Sequence, residues 1–408
     1  MRIEIRGRAC TVILVSLLTG CLSASGTSSA AVEKIIKIGV DLPLSATDGV
    51  AGHNALTGIQ LAIDEANKEG LPGGFVLQAD VLDDVANGLH DPKKGAANVA
   101  ALVADPGVLA LIGPINSNVA QAEIPLTNAA GLAEISSVVT NDGLTLGAQA
   151  AALRQGNPTQ ISFFRICSND AHQGVAGAFF AVSRQYYKAF VIDDGETYGV
   201  GLANAFSMEY RNSGGVILGR ARVPKNVTGV KALLAKIAAA KPDVIFYGGL
   251  TSTGGALIRA NMADGAAKGI AFMGGAGISD LSTIDGAKVA EATLYTLPFA
   301  DAQKLPNAAA YRASYDAAYH QPIGTFSAGA FAATQVVIAA LKRAIMANND
   351  ALPTRAQVLA QVAATKDLST TIGAVNFDAN GDVRRPVVTF YQIKNGNGVF
   401  IDQIQLEH

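Results

Sequence analysis

Apolar and polar positions along this chain alternate between two periods. Residues 35–40 form the run Ile35-Ile36-Lys37-Ile38-Gly39-Val40, rich in β-branched side chains, which predicts a strand. Over 58–68 the apolar residues Ile59, Leu61, Ala62, Ile63 and Ala66 predict an amphipathic helix with one buried face. The exchange continues with strands over 75–82, 108–112 and 132–136 and helices over 92–104 and 119–129. It then restarts, with strands over 161–166, 189–192, 215–223, 243–247 and 270–273 and helices over 174–186, 200–211, 230–240 and 255–262. Two successive strand–helix series predict an α/β protein with two doubly wound lobes, each built on a mostly parallel sheet.

The last quarter breaks the alternation. Helical patterns over 307–320, 326–347 and 354–364 come in succession, and short strands over 374–377, 386–393 and 398–401 follow them. Asn395-Gly396-Asn397-Gly398 reads as a hairpin turn. Two domains in simple tandem do not need late helices followed by late strands. A chain that returns to its first lobe and then to its second does.

The ends and the composition narrow the possibilities. Arg2, Arg6 and Arg8 precede an apolar run from 9 to 18 and then small residues, the order of a secretory signal. Leu18-Thr19-Gly20-Cys21 resembles a bacterial lipobox, in which Cys21 is lipidated and becomes the new N-terminus. The alternative is ordinary cleavage after Ala30 or Ala31, which discards Cys21. The expected localisation is therefore periplasmic or cell-surface, with contact to the membrane only through the lipid anchor. No later segment reads as membrane-spanning. A net charge of −2 gives no footprint for nucleic acid. Of Cys10, Cys21 and Cys167, only Cys167 lies in the body, where it reads as a small buried apolar residue.

In doubly wound sheets ligands bind beyond the carboxyl ends of the strands. The segments that fall there are Asp41 to Ser45, Gly113-Pro114-Ile115-Asn116-Ser117-Asn118, Ser136 to Asn141, Asp193 to Gly199, Gly248 to Thr253, and Gly274-Gly275-Ala276-Gly277. Their glycines admit close backbone approach, and their hydroxyls can either cap a helix or hold an anion. A carboxylate resting on Ser117 and Thr140 is one reading, and simple helix capping by Ser117 and Ser252 is the other. His53, His90, His172 and His320 have no metal-ligand spacing. Thr325-Phe326-Ser327-Ala328-Gly329 misses the nucleophile-elbow pattern, and neither a phosphate-binding loop nor a dinucleotide fingerprint occurs. The reading is a binding protein without cofactor or metal, not an enzyme.

At these residues the chain resembles the type I periplasmic binding proteins, most closely the leucine/isoleucine/valine-binding group of ABC importers. The motifs are Ile38-Gly39-Val40-Asp41-Leu42-Pro43-Leu44-Ser45, Leu111-Ile112-Gly113-Pro114, Ile135 to Asn141, Phe164-Arg165-Ile166-Cys167, Asp194-Gly195-Glu196-Thr197-Tyr198-Gly199, Lys241 to Gly249, and Gly373 to Asp382, all in family order. The resemblance implies three lobe crossings, an N-lobe of 33–165 and 298–372, and a C-lobe of 166–297 and 373–408. It implies a small solute held in the cleft by hinge closure, with a permease and an ATPase as partners. Asn116, Ser117, Val138 and Thr140 match its N-lobe binding segments, and Tyr198 a cleft aromatic. Three positions depart from it. Ala276 stands where members holding an α-ammonium have an acidic residue, Ala51 is at or near a replaced tyrosine, and Leu250-Thr251 replace an aromatic pair. The expected solute is then not a standard branched-chain amino acid but a small carboxylate, an aromatic acid, an amide or a more apolar molecule. Asp48, Asp142, Glu196 and Asp280 are the nearby acids able to restore a partner for an ammonium. A ligand sensor of the same fold and a branched-chain amino acid binder are the alternatives.

Overall fold

The computed structural model describes residues 34–406. The export signal and the Cys21 motif lie outside the described residues. The chain begins with β1 (Lys34–Leu42), α1 (Gly49–Glu69), β2 (Phe75–Asp83), the short ladder of β3 (Val85–Ala86) and β4 (Leu89–His90), α2 (Pro92–Ala104), β5 (Val108–Ile112), α3 (Ser117–Ala130), β6 (Ala133–Ser136), α4 (Gly147–Leu153) and β7 (Phe163–Arg165). A second series follows with α5 (Asp170–Ser183), β8 (Lys188–Asp193), α6 (Thr197–Asn212), β9 (Val216–Arg222), α7 (Val227–Ala240), β10 (Val244–Gly248), α8 (Ala256–Ala263), β11 (Ala271–Gly274), α9 (Leu281–Asp285), α10 (Ala287–Ala290) and β12 (Leu294–Leu297). The rest is α11 (Ala309–Tyr319), α12 (Ser327–Ala347), α13 (Arg355–Ala363), the paired β13 (Leu368–Thr370) and β14 (Gly373–Val375), and a hairpin of β15 (Val387–Lys394) and β16 (Asn397–Gln405).

Two sheets organise these elements. The first has the order β2-β1-β5-β6-β7 and is parallel throughout. The second has the order β16-β15-β12-β11-β10-β8-β9, with its first-to-last core strands parallel and the hairpin antiparallel at one edge. Continuous apolar strands such as β5 and β10 are buried along their whole length, as expected of strands covered by helices on both faces. α12 and α13 pack back onto the first sheet at β5 and β6, and β15 then joins the second. The chain thus passes between the sheets three times, which is why helices precede strands in the tail.

Several elements differ from the sequence reading. α1 starts at Gly49 rather than at 58, because its first turns are small residues held by tertiary contact, not by an apolar stripe. A Cβ on Gly52 would stand 1.8 Å from the Pro43 carbonyl, and one on Gly58 would stand 2.1 Å from that of Ser327. These glycines let α1 lie against the loop after β1 and against α12. The predicted strand over 374–377 is instead β14, paired with β13 outside both main sheets. β12 had no prediction. α12 corrects another expectation: by length and composition this 21-residue helix could cross a membrane, with mean hydropathy 1.4 over its most apolar 18-residue stretch. It is a core helix, packed on α1, α13 and the first sheet, with 67% of its apolar window buried. The hairpin turns at Asn395 and Gly396, both at positive φ (50° and 79°), as an Asn-Gly turn requires.

One polar cluster holds the crossings. Arg165, fully buried at the end of β7, donates from Nε to Asp382 Oδ1 at 2.7 Å and from Nη1 to the Asn141 carbonyl at 2.8 Å. Its Nη2 reaches Asp382 Oδ2 at 3.2 Å and also bonds Thr145 Oγ1. Asp382 lies on the last passage between the sheets, so one guanidinium ties the first crossing to the third. Replacing Asp382 with Ala strands that charge in the interior and is expected to cost about 3–5 kcal/mol, read by thermal or urea unfolding.

Behind β1 the first sheet buries several carboxyls. Asp84 is fully buried, and burial, with the nearby Asp41 carboxylate, pushes its pKa up to about 8. The native state therefore keeps a proton that the unfolded chain releases near 3.8, so this contribution to stability declines as pH rises from there to about 8. Asp84→Asn is expected to flatten that dependence. Its melting temperature should gain on wild type steadily as pH rises from 5 to 8, by about 2–4 °C for each kcal/mol that the wild type loses.

Candidate functional site

The carboxyl ends of the two sheets face a common cleft. About 580 Å³ of space lies between its walls, part of it open to solvent. Loops after β1, β5 and β6 and the start of α12 supply one wall: Pro43, Asp48, Ala51, Ile115, Asn116, Ser117, Val138 and Phe326. Loops after β8, β10 and β11 supply the other: Tyr198, Leu250, Thr251, Ser252, Ala276, Gly277 and Asp280. Each wall sits where strand order reverses, between β1 and β5 in one sheet and between β8 and β10 in the other.

The sequence-derived candidates Ala51, Asn116, Ser117, Val138, Tyr198, Thr251 and Ala276 all line this cleft. Thr140 does not. Its carbonyl accepts the Asp170 amide at 2.7 Å where the chain enters α5. The amides after β6 are also engaged, since those of Val138 and Val139 donate to Ser136 Oγ at 3.3 and 3.1 Å. The place open to an anion is the start of α3. Asn116 is its N-cap residue but makes no capping bond, and its buried Oδ1 has no hydrogen-bond partner among the described residues. The first amides of this 14-residue helix and the Ser117 side chain carry its positive end into the cleft.

The opposite polarity comes from two acids. Asp280 Oδ1 accepts from Thr251 Oγ1 at 2.6 Å, and burial pushes its carboxyl up to about 6. Asp48 is also on the wall; burial would raise its carboxyl, but hydrogen bonding and the charge of His90 hold it below the usual range. Among the described residues no lysine or arginine lines the cleft. Of the four acids named from sequence, Asp48 and Asp280 reach the space, whereas Asp142 accepts the Ala171 amide at 3.2 Å and Glu196 bonds His90. The remaining surface is apolar: Pro43, Ile115, Val138, Leu250, Phe326 and the methyls of Ala51 and Ala276. The Tyr198 hydroxyl accepts the Gly277 amide at 3.3 Å, which fixes the ring across the loop after β11. Phe326 was missed from sequence, because it sits at a helix start with nothing in the pattern to aim it at the cleft.

A family model described as periplasmic binding protein matches residues 35–397. The chain belongs to the periplasmic binding protein family. Similar proteins include the Leu/Ile/Val-binding protein BraC3 of Rhizobium johnstonii, 29% identical with 93% of this chain and 97% of that protein covered. Another is the Leu/Ile/Val-binding protein homolog 1 of Brucella suis, 30% identical over 88% of this chain and 91% of that one. Among solved structures the fold matches LivJ of Streptococcus pneumoniae in complex with isoleucine, with TM-score 0.78 at 23% identity, covering 91% and 100% of the two chains. It also matches a solute-binding protein of R. palustris in complex with benzoate, with TM-score 0.74 at 21% identity, covering 92% and 98%. The chain is thus a type I solute-binding protein of the ABC-transporter class, a non-enzymatic receptor.

As in a binding protein shut on its cleft, the two walls touch. Asn141 Nδ2 donates to the Thr197 carbonyl at 3.0 Å, and Thr197 Oγ1 to Gln121 Oε1 at 3.3 Å. Asn118 Nδ2 reaches Glu196 Oε2 at 3.4 Å, and His90 Nε2 meets the same oxygen at 2.8 Å.

Proposed function

We propose that this periplasmic binding protein is the extracytoplasmic receptor of an ABC importer and hands a captured solute to a permease driven by an ATPase. Lobes of 33–165 with 298–372 and of 166–297 with 373–408 would close about the crossings around the solute. The lipobox reading adds a lipid anchor at Cys21, which would hold the receptor at the membrane from which it feeds the permease. The observation that carries the reading is a two-walled cleft with an unsatisfied acceptor and a helix start on one side and a buried acid, Asp280, on the other.

The solute this cleft fits has an apolar body, an anionic or acceptor end at Asn116 and Ser117, and a donor end at Asp280. It is not a standard branched-chain amino acid in this reading. A methyl stands at Ala276, the acid is displaced to Asp280, and Ala51 and Leu250 offer less aromatic surface. Amides and carboxylates with a hydrogen-bond donor at the far end are the leading class. Relatives are called Leu/Ile/Val-binding proteins, so a branched-chain amino acid with its ammonium on Asp280 is the second reading.

Calorimetry with leucine, isoleucine, benzoate, 4-hydroxybenzoate and small amides separates these readings, and sub-micromolar leucine binding overturns the first. For the solute that binds, Ser117→Ala is expected to weaken affinity by about 1–3 kcal/mol by removing a buried donor. Asp280 must be ionised to accept a donor at full strength. Affinity should therefore rise with pH up to about 6 and then level off, by at most about tenfold per pH unit. Asp280→Asn should abolish that dependence, and a pH-independent wild type would remove Asp280 from the site.

A further inference from the structure

The two acids that start α1 and α6 do not cap their own helices. Asp48 and Glu196 occupy the N-cap positions, where a carboxylate ordinarily accepts the amides of the first turn, yet neither makes a side-chain capping bond. Both are turned onto one imidazole. His90 Nδ1 lies 2.8 Å from Asp48 Oδ2, and His90 Nε2 lies 2.8 Å from Glu196 Oε2. The His90 backbone amide adds a third bond, to Asp48 Oδ2 at 3.2 Å. An imidazole that meets a carboxylate at each nitrogen donates from both and is therefore the imidazolium. Its side chain has no exposed surface, and Asn118 is the other polar side chain on Glu196 Oε2.

The partners belong to opposite walls. Asp48 and His90 belong to the first wall, Asp48 in the loop after β1 and His90 on β4 of the small ladder that follows β2. Glu196 is carried by the second, in the loop after β8. Asp48 also lines the cleft, whereas His90 and Glu196 do not. We propose that His90 is a positioning residue that couples solute recognition to closure, holding Asp48 toward the cleft with one ring nitrogen and gripping Glu196 on the opposite wall with the other. The grip exists only when the walls meet. Opening leaves the His90–Asp48 half intact and returns Glu196 to water.

The pair between the walls then offsets part of the cost of closing, and a closed form that is easier to reach binds any fitting solute more tightly. A buried charged hydrogen bond of this kind acts mainly on the rate of opening. Burial alone would discharge the ring, but the two carboxylates carry its pKa to about 10, so the grip stays charged across the physiological range.

The test needs no solute, so its outcome is independent of the solute assigned above. Gln121→Cys and Thr197→Cys, which replace hydrogen-bonded neighbours across the cleft, are joined in the ligand-free protein by a short bis-maleimide, and the joining rate reads how often the walls meet. Cys167 is buried and does not compete. Glu196→Gln, on a partly exposed side chain that should not disturb folding, is expected to slow joining about five- to tenfold. His90→Gln should slow it at least as much, and the double variant no further than His90→Gln alone, because both changes break the same bond. A rate within twofold of the parent in Glu196→Gln, or effects that multiply in the double variant, would overturn the proposal.

Discussion

The interaction on which the molecule depends is the grip of a single buried guanidinium on the place where its chain crosses itself. Arg165 ends the last strand of the first sheet, and Asp382 lies on the final return to the second. Their bond, with the carbonyls of Val139 and Asn141 beside it, fixes the first crossing and the third at one level. Because the crossings are pinned there, the two sheets turn their carboxyl ends toward each other rather than apart. A buried charge of this kind is weak evidence for stability and better evidence for register. Here the register it sets is that of one wall against the other.

Everything chemical in the cleft is a consequence of that facing. Parallel strands end together, so the loops beyond them gather small polar groups from distant parts of the sequence. The start of α3 brings positive potential, and Asp280 and Asp48 bring negative potential, across a space floored by apolar side chains. A cleft with both signs, and with no basic side chain among the described residues that line it, selects by matching dipoles and hydrogen bonds.

Polar groups near the cleft also divide their work. Ser136 gathers the amides after β6 for itself, which removes them from ligand binding, and Thr140 belongs to the entry of α5. The acids at the starts of α1 and α6 give up local capping for His90, Asp48 within its own wall and Glu196 from the opposite one. Both helices still form, because α1 is buried against α12 and α6 against α5. Tertiary packing therefore frees side chains that an isolated helix would use for its own termini.

The sequence by itself determined the class of fold and the neighbourhood of the site. Period-two and period-3.6 apolar patterns are local properties, so β5, α2 and β10 stood nearly complete in them, and the rule that ligands lie beyond strand ends led to Asn116, Ser117, Tyr198, Thr251 and Ala276. Only the tertiary structure decided which neighbours count. Asp280 and Asp142 look alike in sequence, yet one reaches the cleft and the other serves a backbone amide. Glycines at 52 and 58 extend α1 through close contacts, Gly52 with the Pro43 loop and Gly58 with Ser327, hundreds of residues away. His90 had no spacing to mark it, because its partners lie 42 and 106 residues distant. Local patterning encodes what a segment becomes; a side chain's task depends on which distant backbone the fold brings within bonding distance.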